Sequence, residues 1–65
     1  MTEHDAAVSA MQRVGVLLAG ALLAEDGDSF VRYQRDAQAI IEEWYFTDEM
    51  VVWAHDEAAR LVPSA

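Results

Sequence analysis

Two histidines, His4 and His55, and twelve carboxylates are the side chains of this 65-residue chain with the means to do acid–base or metal chemistry. Helical metal sites need two ligands on one face, three or four residues apart. Neither histidine has a carboxylate or a second histidine four residues away. In "AHDEAA", His55, Asp56 and Glu57 are consecutive, so a helix points them in three directions. "EDGDSF" has the opening of a calcium loop, but counting from Asp26 the fifth and sixth places hold Phe30 and Val31 instead of an oxygen ligand and glycine. It reads as a turn. The pairs Glu42–Glu43 and Asp48–Glu49 offer an acid and a base. Adjacent residues diverge on a helix, however, and so short a chain has little room for a substrate pocket. There is no cysteine, no glycine-rich phosphate loop and no serine beside a base. The expectation is a protein that is not an enzyme and holds neither metal nor cofactor.

Charge points instead to binding. Twelve acids face four arginines, with no lysine, for a net charge of −8. That surface repels phosphate backbones and anionic bilayers, which argues against direct nucleic-acid or membrane binding. It favours a protein partner with a basic or apolar surface. A composition 54% hydrophobic is too apolar for a disordered acidic tail, so the chain is expected to fold. The first ten residues carry Glu3 and Asp5 where a secretory leader would be basic. Cytoplasmic residence is the expectation.

Three segments must position these residues, within a single domain spanning residues 1–65. The first runs from residue 4 or 5 to residue 24, with Thr2 or the acids behind it serving the open N–H groups of the first turn. Its core face is centred on Leu18, flanked by Ala7, Met11, Val14, Ala21 and Leu22. In "EDGDS", Gly27 is the expected left-handed C-cap, with Asp28 or Ser29 capping the next helix. The second segment sets Phe30, Tyr33, Ala37, Ile40, Ile41 and Trp44 in one stripe and stops near Tyr45. The third, capped by Thr47 or Asp48, lines Met50, Val51, Ala54, Ala58 and Leu61 on one face. It pairs Asp56 with Arg60 and ends before Pro63. The fold class is therefore all-α, a small three-helix bundle. The alternative is α+β, with a short hairpin around residues 42–54, since "EEWYF" and "MVVWA" are rich in β-prone residues.

"VGVLLAGALLA", residues 14–24, is the stretch that carries the functional reading. The side of helix one opposite Leu18 holds Ser9, Gln12 and Arg13, then Val16, Gly20 and Leu23. Its last turns are apolar all round, and such a helix must be surrounded. Two short helices cannot enclose it, so a second molecule is expected to cover Val16, Gly20 and Leu23, most simply as a homodimer. Small residues at four-residue spacing, Gly15 to Ala19 and Gly20 to Ala24, would let a helix approach closely. Arg13 and the length of the uninterrupted apolar run argue against a membrane span. Trp53 falls beside its helix's core stripe; with Trp44, Tyr45, Val52 and the acids Glu42, Glu43, Asp48, Glu49 and Asp56 it marks a recognition surface. The resulting expectation is an acidic helical interaction module: a regulator, adaptor or inhibitor. Two further readings are an acidic decoy that occupies a nucleic-acid-binding protein, and a purely structural assembly subunit.

Overall fold

The computed structural model describes residues 3–63, and these form three α-helices in up-down-up order: α1 (Glu3–Leu23), α2 (Gly27–Glu43) and α3 (Asp48–Leu61). No strand occurs among the described residues. The segment that might have formed a hairpin instead ends α2 and begins α3. The alternative α+β reading is thereby corrected. Thr2, one of the proposed first-turn caps, lies outside the described residues.

Each junction has a physical cause. Asp26, in extended backbone, caps α2, its carboxylate accepting the N–H of Ser29 at 3.2 Å. Gly27 is thus the first residue of α2, not a left-handed cap of α1, and the cap is Asp26, not Asp28 or Ser29. At the other end of α2, Tyr45 takes the left-handed conformation with φ 51°. The Tyr45 N–H donates to the Glu42 carbonyl (3.4 Å) and the Phe46 N–H to the Ile41 carbonyl (3.1 Å). These are the two bonds of a Schellman motif. Phe46 and Ile41, its hydrophobic partners, are half-buried against the core. Thr47 Oγ1 then accepts the N–H of Met50 at 3.3 Å, capping α3. Met50 Sδ accepts the Thr47 N–H in return at 3.5 Å, where a glutamate or glutamine is the usual partner.

α1 packs against both other helices, whereas α2 and α3 make little contact with each other. The core joins Ala10, Val14, Leu18 and Ala19 of α1 to Ala37 and Ile40 of α2 and Ala54 and Ala58 of α3. Val14 is the largest side chain that is completely buried. Alanines at the contacts bring the helices close: a Cβ built on Gly15 would lie 3.1 Å from the Glu57 side chain and 3.4 Å from the Ala54 carbonyl.

Several residues assigned to the core are not in it. Leu22 is 63% exposed, and Phe30, Tyr33, Trp44 and Leu61 are also exposed. The reason is geometric. Leu22 and Phe30 line an open cleft between α2 and α3, which make little contact with each other, and Tyr33 lies over Gly20 on the outer side of α1. Arg60 pairs with Glu57, one turn before it, and not with Asp56.

Candidate interaction surface

The side of α1 turned away from the core combines an apolar centre with polar ends. Val16 is 59% and Leu23 56% exposed. Gly20 is half-buried, because the Tyr33 ring of α2 lies over it; an added Cβ would come within 2.8 Å of that ring. The hollow at Gly20 is therefore partly filled by the chain's own tyrosine, so a molecule approaching here would meet the Tyr33 ring beside the glycine. Two shallow depressions flank this centre. One, of about 360 Å³, is lined by Ser9, Gln12, Arg13, Val16 and Leu17. The other, of about 710 Å³, lies at the far end of α1, where Gly20 and Leu23 meet Glu25, Asp26 and Tyr33. Between Ala6 and Ala24 the sole charged residue is Arg13, and it makes no ion pair among the described residues.

By length and mean hydropathy (1.6) the span His4–Leu23 passes the threshold for crossing a bilayer, and about a third of it is buried within the fold. Arg13 stands inside that span, where a charge is costly in lipid.

The second surface is the end of the bundle where α2 turns into α3. Glu42 and Glu43 close α2, Asp48 and Glu49 open α3, and all four are exposed. Gln38 Nε2 donates to Glu42 Oε1 at 3.4 Å. Between them stand Trp44, also exposed, and Tyr45, 88% exposed. On α3, Glu49, Trp53, Asp56 and Arg60 succeed one another at helical spacing along one face. Asp48 is turned about 100° from Glu49. Trp53 is half-buried and Val52 exposed. Glu49 and Asp56 share a helical face with Trp53, while Glu42, Glu43 and Asp48 flank the turn between α2 and α3. Trp44 and Tyr45 are the aromatics that stand among them.

The Asp26 carboxyl is held below its ordinary value, chiefly by the hydrogen bond with the Ser29 side chain and then by the Ser29 N–H. A cleft between α2 and α3, floored by Leu18 and Leu22 and walled by Phe30, Gln34, His55 and Ala58, has one ionisable group in its lining, His55. No group of three or more histidine or acidic side chains is placed to hold a metal ion among the described residues. No polar side chain is buried among them either.

Neither a protein-family model, nor a curated protein, nor a solved structure matches this chain.

Proposed function

We propose that this protein is an acidic helical interaction module that acts by being covered: a second protein surface packs on Val16, Gly20 and Leu23 of α1. One observation supports this above the rest. Most of the buried residues are alanines, with Val14, Leu18 and Ile40, while Val16, Leu22, Leu23, Phe30, Val31 and Leu61 are left about half exposed. Scattered exposed apolar residues are ordinary. Here the fully buried set is small side chains, and each half-exposed valine or leucine forgoes on the order of 1 kcal/mol of further burial. Along α1 this face carries no acid until Glu25 and Asp26 at its carboxy-terminal end, so most of the −8 charge lies elsewhere.

The carboxylates Glu42, Glu43, Asp48, Glu49 and Asp56, with Trp44, Tyr45 and Trp53, form the second contact of the module, suited to a cationic protein surface. Its role in this reading is regulation or adaptation of the protein so engaged, not catalysis.

The test is the double variant Val16→Glu with Leu23→Glu, examined by light scattering and circular dichroism. Both positions are exposed, so helicity is expected to persist while the particle becomes smaller. If the assembly is heteromeric, a protein that co-purifies from the native host is lost instead. Unchanged particle mass together with unchanged co-purification sinks the proposal.

A further inference from the structure

We propose that the covering molecule is a second copy of this chain, docked antiparallel on α1 about a two-fold axis level with Leu18; this rests on the reading of the α1 face given above. The support is that the face is self-complementary when reversed. Its amino-terminal depression carries the unpaired Arg13 and its carboxy-terminal depression carries Glu25 and Asp26. An axis level with Leu18 sets Val16 of one copy against Gly20 and Tyr33 of the other. It also sets Arg13 beside Leu23 of the second copy. Glu25 and Asp26 follow in the turn just past the end of α1, lining the same depression as Leu23, within reach of the long arginine side chain.

Each element of the contact then has a counterpart. The Arg13 stem covers Leu23, as long cationic side chains cover apolar surface while their heads stay wet. The guanidinium meets Glu25 and Asp26, and the two-fold repeats the arrangement at the other end. A parallel pairing would place Arg13 beside Arg13 of the second copy and the acids beside acids, so charge selects the antiparallel form.

The test is a charge-reversal cycle at two exposed positions, with Arg13→Glu, Glu25→Arg and the two combined, read as the dimer dissociation constant. Each single reversal is expected to weaken the dimer roughly tenfold, and the combined variant to recover most of that loss. Helical circular dichroism is expected to match in all three. Single reversals without effect, or a combined variant weaker than either, overturn the antiparallel arrangement. If Val16→Glu with Leu23→Glu still dissolves the assembly in that case, the face is right and only its orientation is wrong. A wild-type chain that stays monomeric at submillimolar concentration overturns the second copy as occupant and leaves the face to a different protein.

Discussion

Tyr45 is a bulky residue in a conformation that favours glycine, and its side chain gains nothing from the fold in exchange. With φ 51° and 88% exposure, it holds the C′ position of the α2 Schellman motif, where glycine is the common occupant. Left-handed backbone costs an L-residue about 1–2 kcal/mol, offset in part by the greater unfolded-state entropy of glycine. Tyr45→Gly is therefore expected to stabilise the chain by about 0.5–1 kcal/mol, read as a rise of a few degrees in thermal midpoint. Strain kept at an exposed aromatic among Glu42, Glu43, Asp48 and Glu49 fits a contact role. A stabilised Tyr45→Gly variant that binds its partner less well would support that role, and one that binds equally well removes Tyr45 from it. This position also marks a limit of sequence reading. "WYFTDE" contains no glycine or asparagine to announce a left-handed turn, so the sequence places the end of α2 near Tyr45, one or two residues late. The α3 cap, by contrast, was legible from residue type to within one position, Thr47 or Asp48.

At the scale of the helix, the start of α2 carries the pH dependence. The Asp26 carboxyl, hydrogen-bonded to Ser29, ionises more readily in the folded chain than its ordinary value of 3.8. A lowered folded-state value favours the charged form. Its contribution is therefore complete above the ordinary value and lost as pH falls through the lowered one. Asp26→Asn keeps the capping oxygen and removes the titration. The advantage of the wild type over Asp26→Asn is expected to be constant near neutrality and to shrink below the ordinary value, followed by thermal midpoint against pH. A difference independent of pH would show that Asp26 acts only as a neutral cap. Helix identity was readable because each stripe follows the 3.6 period. The depth of burial was not, because period alone does not show that Phe30 borders an open cleft between α2 and α3 or that Tyr33 folds over Gly20 on the outer side of α1.

For the molecule as a whole, the consequence is a thin interior. The residues it buries most completely are Val14 and alanines at 0–2% exposure, so the apolar area removed from water per helix is small. Covering α1 with a second molecule links folding to association, and the thermal midpoint is then expected to rise with protein concentration. The Val16→Glu, Leu23→Glu variant is expected to lose that dependence. A wild-type midpoint independent of concentration would break the link between folding and self-association. What sequence did convey at this scale was the mismatch itself: α1 has more apolar surface than two short helices can cover, and Val16 and Leu23 do stand exposed. Which partner covers them was never legible, because periodicity identifies a face and not its occupant.

α2 and α3 make little contact with each other, and each is anchored almost entirely on α1. Tolerance to substitution is therefore unevenly distributed. A change on the inner side of α2 is felt by α3 only through some displacement of α1, so the two flanks can vary almost independently. α1 answers to both at once, and Gly15, Val14 and Leu18 have scarcely any freedom left. Drift in this molecule belongs to its outer helices, and veto to the central one.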